Sequence, residues 1–576
     1  MFSFNHLKKN LKKDKTGLKP VKLSIVAEDS NQLFITALKG YAIELGYDLQ
    51  VNDCGYNELD LQVFEPQSQL NTTPADYILI VPSVHKMMKY FYSKDVSERN
   101  KFAEERIEYY EQISIKLLEE TKAKIIFTNF VAINDNVFGN FSTKINSSFH
   151  FQLTKLNFDL MKLSQTIKNL YINDLNSISA FYGYKEVVDS KFYINSDMSI
   201  GLDFLPKLAK NTFDIIQSLD GKFKKCLILD LDNTLWGGII GDDGVEGIQL
   251  GDLGVGKAFT EFQLWIKELK QRGIILAICS KNDERLAKEP FEKHPDMILK
   301  LEDISVFVAN WETKVDNIRH IQSILNIGFD SMVFLDDNAF ERNIVSENIP
   351  GITVPEIPED PAEYLTYLRD LNLFETASFT EEDKNRTELY QEEAKRTLFQ
   401  KSFESEGEYL EHLQMIAKVE GFNKYNIPRV SQLTMRSNQY NLRTTRYTEA
   451  EMEELSQSKE YSCFAFSLKD KFGDHGLICV VILKMAEENS VFIDTWLMSC
   501  RVLKRGMEKF VLLQLINHLK NLNKKKLIGE YIPTQKNGIV KDHYQDLGFR
   551  NTGNYWEFEI FTDSTIETYI TKSTEI

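Results

Sequence analysis

The hydrophobic pattern of the chain consists of short aliphatic runs separated by stretches of helical period. Val21 to Ala27, Tyr77 to Val81 and Lys124 to Thr128 are runs of this kind, with helical periodicity at Phe34 to Leu45 and again from Asn157 to Leu170. Short apolar runs bounded by polar residues read as strands buried on both faces, so residues 21–215 are expected to form an α/β domain. A second set of runs ends on chemistry. Cys226-Leu-Ile-Leu229 leads into Asp230-Leu-Asp232-Asn-Thr234, Gly273 to Cys279 into Ser280-Lys281-Asn282-Asp283, and Met332 to Leu335 into Asp336-Asp337-Asn338. Polar groups at strand ends, with helical stretches between, predict an open parallel sheet over residues 224–360 that binds its ligand at the carboxyl edge. Pro350, Pro355, Pro358 and Pro361 mark the exit from that segment. A charged helical linker is expected over 361–420, and a third, α+β domain with its own strand–helix pattern over 421–565. The fold class is therefore multidomain α/β.

Composition narrows the setting. At 576 residues the chain is too long for one compact core. No run approaches the roughly 20 apolar residues a membrane helix needs, and the N-terminus has no hydrophobic segment of a secretory signal. Membrane insertion is not expected, and the cytoplasm is the expected location. The six cysteines include no C-x-x-C pair, so zinc and disulfide frameworks are not expected. A net charge of −17 argues against nucleic-acid binding. Residues 1–20 form a basic tail carrying Lys8, Lys9, Lys12, Lys13, Lys15 and Lys19. It is expected to be solvated, with docking onto an acidic partner as the alternative.

Carboxylates at the end of a buried strand are costly unless a cation or a reaction uses them. Asp230 and Asp232 alone also fit an acidic turn, and Lys314 alone fits a solvated lysine. Their order along the chain gives them weight: two acids, then Ser280, then Lys314 in Asn310-Trp-Glu-Thr-Lys-Val-Asp316, then Asp336 and Asp337. This series resembles the four motifs of the haloacid dehalogenase (HAD) phosphotransferases. The stretch from Asp230 to Gly251, with Trp236-Gly237-Gly238 after the acids, narrows the resemblance to FkbH-like proteins of HAD subfamily IIIC. Ala339 stands where the family usually has proline.

The resemblance implies a division of labour. Asp230 would be the nucleophile that becomes an aspartyl phosphate, and Asp232 the general acid and base. Thr234, Ser280, Lys281 and Lys314 would hold phosphoryl oxygens. Asp230, Asp232, Asp336 and Asp337 would bind Mg²⁺, a hard ion suited to oxygen ligands, with Asp337 the preferred direct ligand. In the family a glyceryl unit is taken from 1,3-bisphosphoglycerate, a phosphate is removed, and the acyl group is loaded onto the phosphopantetheine thiol of a carrier protein for polyketides and related metabolites. No carrier attachment motif (Asp-Ser-Leu) occurs, so the acyl carrier protein is expected to be a separate chain.

The flanking domains resemble known folds as well. The N-terminal domain is similar to SGNH-type esterases, with Asp29-Ser30 in the nucleophile position and Gly139-Asn140 as a poor second block. No Asp-x-x-His occurs between Asp174 and Leu208, so Ser30 lacks a base and the domain is expected to be non-hydrolytic. The last domain resembles the GNAT acyltransferase fold. Its turn Arg501-Val-Leu-Lys504-Arg505-Gly506 would offer backbone N–H groups to a pantetheine phosphate. Lys504 replaces the first glycine of the turn, which favours a carrier arm over free coenzyme A. Cys500, beside Arg501, and Cys279 are candidate acyl-carrying thiols. Two alternatives stay open: a plain HAD phosphatase acting on another small phosphorylated metabolite, with a degenerate acyltransferase domain, and a non-catalytic scaffold for carrier proteins.

Overall fold

The computed structural model describes residues 2–133, 135–400, 402–487, 489–561 and 566–574. Residues 562–565, the end of the expected last domain, lie outside the described residues. Two compact units divide the chain, Met1–Gln217 and Ser218–Ile576.

In the first unit five strands form an all-parallel sheet: β1 (Lys19–Ala27), β2 (Tyr47–Tyr56), β3 (Tyr77–Val81), β4 (Lys124–Thr128) and β5 (Leu170–Asn173), in the order β2-β1-β3-β4-β5. Leu23, Leu79, Ile125 and Ile126 are fully buried, as strands covered on both faces require. The basic tail departs from expectation. Phe4–Asn10 is a helix, capped by the Ser3 hydroxyl, and its Phe4 and Leu7 are buried. A side chain at Gly40 would meet the Leu7 carbonyl oxygen at 2.2 Å, so glycine there lets the helix Gln32–Glu44 touch this one. Lys13 and His6 reach Glu44 at 2.8 and 2.9 Å. Two apolar residues one helical turn apart anchor the segment, and its lysines form the outer face.

The second unit holds two sheets. The strands β6 (Cys226–Leu229), β7 (Ile275–Ser280), β8 (Val306–Ala309) and β9 (Met332–Leu335) are parallel, in the order β8-β7-β6-β9. Side chains alternate between two cores. Leu227, Leu229, Leu276, Ile278, Val333 and Leu335 pack with Trp236, Phe259 and Phe291, while Ile228, Ala277, Cys279 and Phe334 pack on the other face with Ile318 and Ile321. The helix Tyr364–Leu371 joins the first of these cores through Tyr364 and Leu368, so this domain runs past the expected boundary at residue 360.

The larger sheet comprises β10 (Ile416–Glu420), β11 (Tyr461–Asp470), β12 (Gly473–Glu487), β13 (Ser490–Met498), β14 (Lys526–Gly529), β15 (Arg550–Asn551), β16 (Trp556–Glu559) and β17 (Thr571–Lys572). Its order is β15-β16-β14-β13-β12-β11-β10-β17, antiparallel except for the pairs β13–β14 and β10–β17. Because β10 belongs to this sheet, the last domain begins before residue 421. The helix Arg386–Gln400 is not a solvated linker along its length: Tyr390 is buried, and Arg396 is fully buried, with Nε 2.8 Å from Oδ2 of Asp470. Among the described residues no helix is long and apolar enough to cross a membrane, and all six cysteines are free.

Candidate active site

Strand register brings the predicted acids together. Leu229 lies opposite both Ile278 and Leu335, so Asp230 and Asp336 leave the sheet side by side, with Ser280 two residues beyond Ile278. The Asp230 amide donates to the Leu335 carbonyl at 3.0 Å and continues the ladder into the site. The chain then turns sharply through Asn233, which adopts a left-handed conformation at φ 54°, one that asparagine tolerates better than most residues. Its Oδ1 accepts the Gly238 amide at 2.9 Å. Gly238 has φ 93°, and a Cβ there would lie 2.6 Å from Asp243 Oδ2. This loop therefore requires a glycine where the sequence has one.

One carboxylate oxygen from each of Asp230, Asp336 and Asp337 lies within 4.8 Å of the others. Lys314, at the start of the helix Lys314–Leu325, points between two of them. Its Nζ is 2.7 Å from Asp230 Oδ1 and also contacts Asp336 Oδ2. Asp336 is fully buried, and Lys314 and Asp230 nearly so. Burial, reinforced by the Asp336 charge, pushes the Asp230 carboxyl up to about 7 against the pull of Lys314. Burial and then Asp336 also raise Asp337. Burial works against the Lys314 ammonium, yet Asp230 and Asp336 hold its pKa above the ordinary lysine range. Three carboxyls face one ammonium in a poorly solvated site. That donor set, all oxygen and short of positive charge, fits a hard divalent cation.

The expected ligand set needs one correction. The Asp232 carboxylate stands outside the group, because its oxygens are engaged elsewhere. Oδ1 accepts from Trp236 Nε1 at 2.9 Å and from the Ile240 amide at 3.0 Å, and Oδ2 accepts from Asn282 Nδ2 at 2.8 Å. These donors hold the acid in one orientation beside the site. Thr234 is fully buried, and its hydroxyl accepts the Asp337 amide at 3.1 Å, bracing one loop against the other.

Lys281 also departs from its expected role. It is exposed and lies 2.5 Å from Glu341. The residue that turns inward is Asn282, which bonds Asp232 and, at 3.3 Å, the Ser280 hydroxyl. Sequence reasoning missed Asn282, although it stands two positions after Ser280, where an extended chain returns to the same face. It also missed Arg342, whose Nη1 donates to the carbonyls of Asp336 and Asp337 at 2.8 and 2.6 Å, and Tyr364, whose hydroxyl donates to the Asn233 carbonyl at 3.2 Å. Neither lies in a strand-end motif, so no local signal marked them.

Comparison with known proteins places this geometry. A family model described as FkbH, N-terminal domain, matches residues 22–217. The crystal structure of the N-terminal part of the protein BF1531 from Bacteroides fragilis, containing a phosphatase domain complexed with Mg, is 50% identical, covers 66% of this chain and 100% of that one, and has a TM-score of 0.64. The chain belongs to the FkbH-like family. Lower likenesses include the ribosomal-protein-S18-alanine N-acetyltransferase from Escherichia coli, 13% identical over 26% of this chain and 96% of that one with a TM-score of 0.21. The spermidine N-acetyltransferase from Vibrio cholerae is 13% identical over 25% of this chain and 95% of that one, with a TM-score of 0.20. No curated protein matches the chain.

In this FkbH-like chain the C-terminal sheet is mixed. Strand β13 ends at Met498, and the chain passes through a 3₁₀ turn, Cys500–Val502, and the turn at Lys504 into the helix Met507–Asn521. Lys504 is exposed in a left-handed conformation, φ 61°, and Gly506 follows at φ 72°. Arg505 does not face the turn as a phosphate ligand would. It is buried, with Nη1 3.2 Å from Asp470 and Nη2 2.5 Å from Glu393. Asp470 also takes Arg396, so the guanidinium of Arg505 completes an internal charge cluster. Cys279 is sealed in the core beneath Lys314, its Sγ directed at the Lys314 carbonyl at 3.8 Å, and burial raises its thiol strongly. Cys500 and Arg501 line a cavity reached by Lys225, the residue before β6. Lys225 precedes β6 and Asp230 follows it, so this cavity and the three carboxylates lie toward opposite ends of the strand, which spans roughly 16 Å from Lys225 to Asp230 at about 3.3 Å per residue.

The N-terminal unit has a cavity at the carboxyl ends of β1 and β3, lined by Asp29, Ser30, Asn129, Ser199 and Ile200. Its volume is about 40 Å³, and no histidine lies among the described residues that line it. The Ser30 amide donates to the Asp197 carbonyl at 2.8 Å, and Asp29 Oδ2 accepts the Ser199 hydroxyl at 2.5 Å.

Proposed function

We propose that this protein is a magnesium-dependent phosphatase of the HAD type that removes phosphate from a phosphoglyceryl substrate, 1,3-bisphosphoglycerate, and passes the glyceryl unit to the phosphopantetheine thiol of a separate acyl carrier protein in the cytoplasm. The observation that carries the phosphoryl half is the convergence of Asp230, Asp336 and Asp337 with Lys314 at one sheet edge. The 50% identity to a protein whose phosphatase domain was crystallised with Mg supports the same half. The acyl-transfer half rests on family membership and on the GNAT-like C-terminal domain.

Asp230, Asp336 and Asp337 would hold the ion, which when bound would neutralise phosphoryl charge and make the phosphorus a better electrophile. Asp230 attacks the phosphorus of the ester at C3, forming an O–P bond as the bond to the C3 oxygen breaks; the acyl phosphate at C1 is left for the carrier thiolate, whose attack on the carbonyl forms the thioester as the C1 phosphate leaves. Asp232, held by Trp236, Asn282 and the Ile240 amide, gives its proton to the C3 oxygen and later takes one from the water that cleaves the aspartyl phosphate. Lys314 and Ser280 steady the phosphoryl oxygens. In the N-terminal domain no histidine is among the described residues that line the Ser30 cavity, and we assign that domain a binding role.

The test combines the protein with 1,3-bisphosphoglycerate, magnesium and a holo carrier protein, and weighs the carrier by mass spectrometry. The expected result is release of the C3 phosphate with a mass gain of one glyceryl unit, both abolished in Asp230→Asn. Phosphate release with no gain on any cognate carrier would leave a plain phosphatase. That second reading is favoured by the inward turn of Arg505 and by the separation of Cys500 from Asp230.

A further inference from the structure

The cavity that holds Cys500 has a volume of about 410 Å³. It lies where the amino ends of β6 and β7, the helix Arg386–Gln400 and the GNAT-like domain meet. It thus lies at the end of β6 opposite the Asp230 site, and of the turn from Arg501 to Gly506 it takes in Arg501 but not Lys504, Arg505 or Gly506. Its wall is strongly basic: Lys225, Arg386, Arg429, Arg436, Arg501 and Lys536 line it, and Asp330 is the only acid among the lining residues.

The partners of these cations do not balance them. Arg429 pairs with Glu382 at 2.6 Å, Arg386 and Arg436 share Asp383, and Lys536 pairs with Asp330. Three acids therefore face six cations. Lys225 Nζ donates to the Arg436 carbonyl at 2.8 Å and lies 5.6 Å over the Phe223 ring, with no acid paired to it among the described residues, and Arg501 Nη1 is buried with no hydrogen-bond partner. Burial, with repulsion from neighbouring arginines, lowers Lys225 to about 8, Arg436 to about 9 and Arg429 to about 10. Like charges gathered out of water destabilise a fold unless an anion joins them. Guanidinium groups are suited to phosphate, which they bind through paired N–H donors.

We propose that this cavity is a second anion site that binds a phosphate group between Arg501, Lys225 and Arg436, with the organic part of the ligand lying along Cys500. Tyr390 lines the same wall of the cavity as Cys500. The phosphate can come from a free phosphorylated metabolite or from the pantetheine arm of a carrier. The site stands whether or not Asp230 performs phosphoryl chemistry.

Cys500 is half-buried and supplies the readout. The full-length protein is alkylated with iodoacetamide, and modification of the Cys500 peptide is followed by mass spectrometry. Inorganic phosphate, 3-phosphoglycerate and pantetheine 4′-phosphate are the probes. At about ten times its Kd, a bound probe is expected to slow alkylation roughly tenfold. Protection by 3-phosphoglycerate identifies a metabolite site, and protection by pantetheine phosphate alone identifies a carrier-arm site. Arg501→Gln and Lys225→Gln, each checked for native melting, are expected to lose that protection. No protection by any probe in the unmodified protein, or protection that persists in both folded variants, overturns the proposal.

Discussion

Lys314 Nζ lies 2.7 Å from Oδ1 of Asp230, and both side chains are almost wholly out of solvent. The lysine neutralises part of the charge that three converging acids create, and it does so in the absence of any ion. Removing one member of a buried ion pair leaves the other without compensation, at a cost of about 3–5 kcal/mol. Lys314→Met is therefore expected to destabilise the protein by about that amount in urea titrations without magnesium. Magnesium should restore more stability to this variant than to the unmodified protein, because it would then carry the whole burden of neutralisation. Equal restoration in both would show that the ion does not share these acids.

The raised Asp230 carboxyl links ion binding to pH. Its proton is held to about pH 7 in the folded chain, against an ordinary value of 3.8. The folded state therefore binds this proton more tightly than the unfolded state. Its contribution to stability without ion is fully present below the unfolded value and is lost as pH rises through the folded one. Ion binding has the opposite sense, since the ligand must be deprotonated. Calorimetric titration with magnesium should show affinity falling by up to about tenfold per pH unit below 7 if one proton is displaced. A flat profile between mildly acid and mildly alkaline pH would remove Asp230 from the ligand set.

Asn282 and its neighbour Lys281 make a paired comparison. Asn282 bonds the Asp232 carboxylate at 2.8 Å, while Lys281 is exposed and pairs with Glu341. Asn282→Ala should lower kcat by about 10–10²-fold with little change in KM, a fraction of what a general acid supplies. Lys281→Ala should change stability by about 0.5 kcal/mol or less, as surface substitutions do, and leave kcat near its original value. The reverse ranking would restore Lys281 to the phosphate-binding role its motif suggested.

That contrast shows what was legible in the sequence and what was not. The parallel strands of the HAD-type domain were readable because β6, β7 and β9 are buried on both faces and therefore nearly all apolar. The acids were readable because polar residues at the ends of such strands are conspicuous. Which neighbour faces the site could have been read by carrying the strand alternation two positions past Ser280, to Asn282, but the motif directed attention to the charged Lys281. Hence Lys281 and Asn282 exchanged roles, and the Asp232 carboxylate was placed among the ligands although Trp236 and Asn282 hold it elsewhere. Long-range partners were hidden for a different reason. Arg396 and Asp470 look like ordinary surface charges, and Arg505 like part of a phosphate-binding turn, until the helix Arg386–Gln400 is packed against the last sheet, where all three are buried. The basic tail was misjudged because its lysines outnumber the two apolar residues that anchor it.

Lys504 offers a test of the turn beside the helix Met507–Asn521. Its φ of 61° places a side-chain-bearing residue in the left-handed region, which costs about 1–2 kcal/mol relative to a right-handed conformation. Glycine pays no such penalty there but loses more freedom on folding. Lys504→Gly should therefore stabilise the protein by at most about 1 kcal/mol, read as a higher urea midpoint with an unchanged slope. The effect on carrier loading discriminates more sharply. If the backbone N–H groups of this turn receive the pantetheine phosphate, removing the exposed lysine leaves those donors in place, and loading should hold or rise. If the Lys504 ammonium is itself the phosphate ligand, loading should fall, with the loss appearing in KM for the carrier and not in the rate of phosphate release.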